Sequence, residues 1–322
     1  VPLQPDGLTF VISPEVERTR VNYKNRYGIT IAADLYTAKD LDRTARHAAV
    51  VIGPSHGGVK EQMPGVWANE LAQRGYVALA FDPSYKGDSS GEPRFVSSPE
   101  IFMEDFSAGV DYLGTLEYVS RERIGVVGIC GSGGFSLGAA RIDSRIKAVV
   151  TASMYDIGEN YRNGWQHGWS DADRRAERDR LAAQRWADLD SGEAAYDPVF
   201  PEEVPPADVE LDPITSEFFD YYVKSNDRGY HPHSQGGHVA VSHLGYLGYG
   251  GLRYLEDIAP RPVLMLVGEL AFSRWFTEEA KEQIGDSASI VEVPGARHID
   301  LYDRVDLIPF DAVDAFLAQN LA

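Results

Sequence analysis

The chain has 322 residues, with 30 Lys and Arg against 49 Asp and Glu, giving a formal net charge of −19. Such a surface repels phosphate backbones and anionic membranes, which argues against a nucleic-acid or membrane partner. A hydrophobic share of 43% supports a large core, and the single cysteine excludes an internal disulfide, as expected for a reducing, cytoplasmic setting.

The opening segment Val1-Pro2-Leu3-Gln4-Pro5-Asp6-Gly7 has neither a basic n-region nor an apolar h-region, and no apolar run reaches the roughly 20 residues of a membrane span. Residues 9–12 and 28–36 alternate apolar and polar side chains, which predicts an early antiparallel hairpin. Residues 47–52 and 76–81 are continuous apolar runs closed by Gly53-Pro54 and Asp82-Pro83, the pattern of buried parallel strands. Between them, residues 65–74 carry Val66, Trp67, Leu71 and Ala72 at helical spacing. Residues 99–119 repeat that spacing with Phe102, Phe106, Val110, Leu113 and Leu116. A strand at 124–128 runs into a glycine-rich turn and a helix at 135–141, and a strand at 146–152 follows.

Residues 157–257 break the alternation. Residues 170–190 read as a charged helix that Ser170 caps with Asp173, 196–213 as an acidic, proline-rich loop, and 230–251 as a segment rich in Gly, His and Tyr. Strand 262–268, helix 277–284, strand 288–293 and helix 309–320 complete the chain. The expected fold is therefore α/β, with a doubly wound, mostly parallel sheet. The core takes residues 1–156 and 258–322. Residues 157–257 form a helical and loop cap over the sheet's C-terminal edge, where open α/β sheets bind ligands.

The segment Gly128-Ile129-Cys130-Gly131-Ser132-Gly133-Gly134 follows the strand at 124–128. A strand, a tight turn of small residues and a helix make a nucleophile elbow, which lifts one side chain above the sheet. The end of the apolar run at Val127 favours Cys130 as that side chain. Ser132 is the nucleophile in the alternative register, and a buried small thiol is the reading without chemistry. A thiol with a pKa near 8.5 needs a base or a helix N-terminus to activate it. His298 is the candidate base, because it lies between the last strand and the last helix and follows the nucleophile in chain order.

Position 271, where an orienting acid would fall after strand 262–268, is Ala. Asp156, at the end of the preceding strand, is favoured over Glu269, with Asp300 and Asp303 as further choices. The oxyanion hole needs two backbone N–H groups: Gly131 supplies one, and His56 or Gly58 in the loop after strand 47–52 the other. Trp165, Trp169 and Tyr230 are candidate pocket residues. His231, His233, His238 and His243 lie close in sequence, but they lack a second cysteine or a His-Glu-x-x-His helix, so no metal and no cofactor is expected.

Four segments together resemble a known group: Gly57-Gly58-Val59-Lys60-Glu61-Gln62; Ala80-Phe81-Asp82-Pro83-Ser84-Tyr85 with Gly91-Glu92-Pro93-Arg94; the elbow; and His298-Ile299-Asp300-Leu301-Tyr302-Asp303. They resemble the cysteine-nucleophile α/β-hydrolases related to dienelactone hydrolase, which include fungal polyketide transferases and bacterial homologues. The resemblance implies an α/β-hydrolase fold and metal-free Cys/His acyl chemistry on an ester, thioester or lactone. This chain departs from its relatives where they carry His-Pro before the glycines, which leaves the second oxyanion donor open. Hydrolysis through a cysteinyl acyl-enzyme is the expected reaction. The alternatives are acyl or polyketide transfer, a cyclase or lyase on the same site, and a non-catalytic ligand-binding member of the fold. The expected partner is a small, apolar acyl substrate. A homodimer is compatible with the sequence, though nothing in it specifies one.

Overall fold

The computed structural model describes residues 3–206, 208–234 and 236–322, so Val1 and Pro2 of the opening segment, Ala207 and Gln235 lie outside the described residues. Eight strands form one sheet: β1 (Val16–Lys24), β2 (Thr30–Ala38), β3 (His47–Gly53), β4 (Val77–Phe81), β5 (Val119–Ile129), β6 (Val149–Ala152), β7 (Val263–Gly268) and β8 (Ala288–Val293). Their order is β1-β2-β4-β3-β5-β6-β7-β8. Pairing is antiparallel between β1 and β2 and between β2 and β4, and parallel from β4 to β8. This is the doubly wound, mostly parallel sheet expected from the alternation of elements, and the α/β-hydrolase fold that the resemblance implies.

The hairpin is present, but its first strand is Val16–Lys24 and not residues 9–12. The earlier segment is tied down outside the sheet, with Thr9 N donating to the Glu61 carbonyl at 3.1 Å and Ser13 N to Asn69 Oδ1 at 2.9 Å. The true strand was hidden by its charges, Glu17, Arg18, Arg20 and Lys24, which suit an exposed sheet edge and blunt it against further pairing.

Among the described residues, ten α-helices accompany the sheet: α1 (Met63–Gln73), α2 (Pro99–Leu113), α3 (Gly131–Ile142), α4 (Ile157–Asn163), α5 (Asp171–Ser191), α6 (Pro213–Tyr222), α7 (His243–Gly248), α8 (Arg274–Ile284), α9 (Asp300–Asp303) and α10 (Phe310–Asn320). The period-2 alternation of the strands splits the core into two layers. Val50, Ile52, Val127, Ile129 and Leu266 face α1 and α10, with Trp67, Phe310 and Leu317. Val51, Leu79, Val126 and Met265 face α2, α3 and α8, with Phe106, Leu137 and Phe276. Burial of both faces explains why the central strands read as continuous apolar runs.

The segment between β6 and β7 holds α4 to α7. Ser170 and Asp173 form a reciprocal capping box at the start of α5. Residues 196–206 and 208–212 carry no helix and only one isolated bridge, Tyr196 to Val239. No helix of the described residues is long and apolar enough to cross a membrane.

Candidate active site

The chain leaves β5 at Ile129 and turns at Cys130, whose φ of 54° and ψ of −120° lie where few non-glycine residues are found. Backbone bonds on both sides hold this conformation: Cys130 N donates to the Ala152 carbonyl, and the Cys130 carbonyl accepts from Gly133 N and Tyr155 N. The turn closes only over small residues. A methyl group at position 128 would overlap the Ser132 carbonyl, so glycine there is a packing requirement. Cys130 stands at the N-terminus of α3, where the helix dipole favours a thiolate. Ser132 packs beneath Gly53 and does not line the pocket that holds Cys130.

The thiol is 5% exposed. Burial raises its pKa, and a hydrogen bond with the Tyr302 hydroxyl and those from Gly131 N–H and His56 N–H oppose that rise. Two expected oxyanion donors therefore converge on the sulfur. A Cβ on Gly131 would lie 2.9 Å from His56 Cβ and 3.3 Å from His56 N, which shows how closely the two donor segments pack. Gly58 is placed differently from its expected role. Its N–H is spent on the Ser55 carbonyl at 2.9 Å, inside the turn, and it does not line the pocket.

His298 lies between β8 and α9 and is fully buried. Its Nε2 is 3.1 Å from the Tyr302 hydroxyl, the same hydroxyl that bonds the Cys130 thiol. Its Nδ1 is 2.6 Å from Ser273 Oγ. The Phe272 ring stacks on the imidazole at 4.6 Å, and Ser153 Oγ donates to the His298 carbonyl at 2.6 Å. Burial pushes the His298 pKa down to about 3. The ring is then neutral, and with its proton on Nδ1 it donates to Ser273 and leaves Nε2 to accept from Tyr302.

None of the expected acids bonds this ring. Asp156 is the N-cap of α4, with Oδ1 accepting from Glu159 N at 3.0 Å. Glu269 is exposed and accepts from Gly295 N at 2.7 Å. Asp300 accepts from Arg297 N at 2.9 Å, and Asp303 pairs with Arg228 at 2.7 Å. In each case a helix start or a loop brace uses the carboxylate. Sequence reasoning missed Ser273 and Tyr302 because a serine or tyrosine near a loop has no signature of its own. For Tyr302, a hydroxyl four residues after the candidate base was the available signal.

The pocket over Cys130 encloses about 670 Å³ including its mouth, and is lined mainly by Tyr155, Tyr161, Phe200, Phe218, Tyr222 and His238. Residues 157–257 supply most of this wall. The expected pocket residues lie elsewhere. Trp165 packs on Phe272 and Trp275, Trp169 covers Gly164, and Tyr230 sits beneath the Lys224 ammonium. The four histidines do not converge on one point. His231 contacts His233, His238 stacks on His56, and His243 pairs with Asp197. The one grouping of metal-ligand type among the described residues, Glu61, Asp82 and Asp88, already holds the Lys60 ammonium.

Residues 31–155 match the profile of the dienelactone hydrolase family. The chain is 44% identical over 316 residues to the uncharacterized protein PA2218 of Pseudomonas aeruginosa, covering 97% of this chain and 83% of that protein. The crystal structure of PA2218 superimposes with a TM-score of 0.92 at 43% identity, covering 97% of this chain and 96% of that one. Identity to the uncharacterized protein YcjY of Escherichia coli is 35% over 281 residues, 87% of this chain and 90% of that protein. A thiohydrolase of Eupenicillium brefeldianum is 30% identical over 133 residues, 41% of this chain and 42% of that protein.

Proposed function

The chain belongs to the dienelactone hydrolase family, and from that premise we propose that it cleaves an ester, thioester or lactone through an acyl group carried on Cys130. One observation carries this reading. The Cys130 sulfur, held at positive φ on the elbow, meets His56 N–H, Gly131 N–H and the Tyr302 hydroxyl, which in turn meets His298 Nε2.

The resting pair is neutral, because burial raises the thiol and lowers the imidazole. The proton therefore moves as the sulfur attacks. Tyr302 passes its hydroxyl proton to His298 Nε2 and takes the thiol proton. A C–S bond forms, and the carbonyl π pair moves onto oxygen, where the N–H groups of His56 and Gly131 receive it. The C=O bond re-forms, the bond to the leaving oxygen or sulfur breaks, and the imidazolium returns its proton to the leaving group. Water, activated by His298, then attacks the thioester and releases the acid with the free thiol. The aromatic lining suits an apolar acyl group. The 30% identity of part of the chain to a thiohydrolase supports a thioester among the substrates.

The test is intact-mass analysis after incubation with p-nitrophenyl acetate and with a short-chain acyl thioester. An acyl adduct on Cys130, absent in Cys130→Ala, supports the reading. Hydrolysis that persists in Cys130→Ala and disappears in Ser132→Ala overturns it. Product analysis with an added amine or alcohol separates transfer from hydrolysis.

A further inference from the structure

Lys86 is 2% exposed and sits in the loop after β4, between Tyr85 and Gly87, which both have positive φ. Its Nζ donates to the His56 carbonyl oxygen and, at 2.6 Å, to His238 Nε2, and it stands 5.2 Å from the centroid of the Phe102 ring. The three ammonium protons thus have three acceptors, and none of these is a carboxylate. His56 and His238 stack at 4.1 Å, with their rings 14° from parallel. Burial, and after it nearby cationic groups including Lys86, hold both imidazoles well below their usual pKa, so both are neutral. The charged and titratable groups facing Lys86 are these two histidines, with His243 of α7 acting on them from behind. The arrangement is a buried cation without a counter-ion. It grips the residue whose N–H meets the Cys130 sulfur, and a histidine that lines the pocket.

We infer that Lys86 is a positioning residue for acyl transfer: its ammonium fixes the oxyanion loop through the His56 carbonyl and sets a positive potential beside the oxygen that gains charge. The inference rests on the reading of Cys130 as the nucleophile. A structural clamp alone would need no charge, because a neutral amine has enough N–H donors for both hydrogen bonds. Burial lowers the Lys86 ammonium to about 7, so the charge is present below that pH and is lost as pH rises through it.

Two reactions at Cys130 separate potential from packing. Acetylation by p-nitrophenyl acetate builds an oxyanion; alkylation by iodoacetamide does not. Both are followed by intact mass. In Lys86→Met the ratio of acetylation to alkylation rates is expected to fall about 10-fold or more. In the unaltered protein the same ratio is expected to fall as pH rises through about 7, and Lys86→Met should lose that step. The measurement on the unaltered protein stands even if Lys86→Met fails to fold. A ratio that is flat with pH in the unaltered protein, or unchanged in a folded Lys86→Met, overturns the role of Lys86. No acetyl adduct on Cys130 at any pH overturns instead the nucleophile on which it rests.

Discussion

The hydroxyl of Ser273 lies 2.6 Å from Nδ1 of His298, where a carboxylate would orient and neutralise an imidazolium. A serine hydroxyl holds the ring in place but, unlike a carboxylate, can accept from Nδ1 or donate to it, and it leaves the imidazolium without a counter-charge. That fits the depression of His298 by burial to about 3. Ser273→Ala is expected to slow Cys130 acylation about 10-fold through loss of ring orientation. Ser273→Asp supplies the missing charge, and the pKa of His298 should rise by roughly 1 to 3 units. The acid limb of the acylation pH profile reads this shift, and a limb that stays in place would show that Ser273 does not face the working imidazole.

The same geometry gives Asp156 no part in the proposed reaction. Its carboxylate faces the N–H groups of Glu159, Gly158 and Leu252, and Oδ1 caps α4. Asp156→Asn should therefore change acylation by less than about 3-fold, against the losses of 10⁴-fold or so that follow removal of a working triad acid. Stability supplies a second readout. Burial raises the folded pKa of Asp156 to about 6, so the native state holds the proton more tightly than the unfolded chain. Its contribution is most favourable below about pH 4, weakens as pH rises through about 6, and is constant above that. The stability of Asp156→Asn relative to the unaltered protein should thus grow by about 2 to 3 kcal/mol from pH 4 to pH 8. Urea denaturation at the two pH values measures it.

What the sequence made legible and what it hid follow from how local each signal is. The turn that holds Cys130 was legible because an apolar strand, a tight turn and a helix N-terminus are contiguous in the sequence. His298 was visible through its place between the last strand and the last helix. Ser273 was not, because only the fold brings it to a ring 25 residues away. Asp156 misled for a physical reason: the short loop that follows β6 at Ala152 also starts α4, and a carboxylate there caps a helix as naturally as it serves a histidine. Among aromatic residues, composition could point to an apolar pocket but not say which rings face it. The wall is built from Phe200, Phe218 and Tyr222, while Trp165 covers α8 instead.

Gly131 is close enough to His56 that one methyl group separates the two donors. A Cβ there meets His56 Cβ at 2.9 Å and Ile157 at 3.2 Å, and both sit in packed segments. Gly131→Ala is expected to lower the acetylation rate by about 100-fold, the scale of losing one oxyanion donor. Alkylation by iodoacetamide needs no oxyanion hole and should fall far less. Equal losses in both reactions would place the damage at the thiol and not at the hole.

The loop that carries His56 is anchored at its far end by Lys60, and that anchor sets a stability prediction. Its Nζ lies 2.6 Å from Glu61, 2.8 Å from Asp82 and 2.8 Å from Asp88, and only Asp88 reaches solvent. Burial works against the Lys60 ammonium, but Asp82 and Glu61 outweigh it and raise its pKa overall. Lys60→Met leaves the buried carboxylates of Glu61 and Asp82 without their cation, a change that costs about 3 to 5 kcal/mol in comparable sites. The cost depends on the charge of Asp82 and of the carboxylates around it. Burial raises Asp82, with Lys60 opposing the rise, and raises the neighbouring Asp34 to about 6, so without the lysine both take up protons as the solution is acidified. The destabilisation should be largest near pH 8 and shrink toward pH 5, whereas a loss caused by packing alone would not change with pH. Denaturation midpoints of Lys60→Met and the unaltered protein at both pH values decide the matter. A gap that stays constant would mean that the lysine stem, and not its charge, holds the loop.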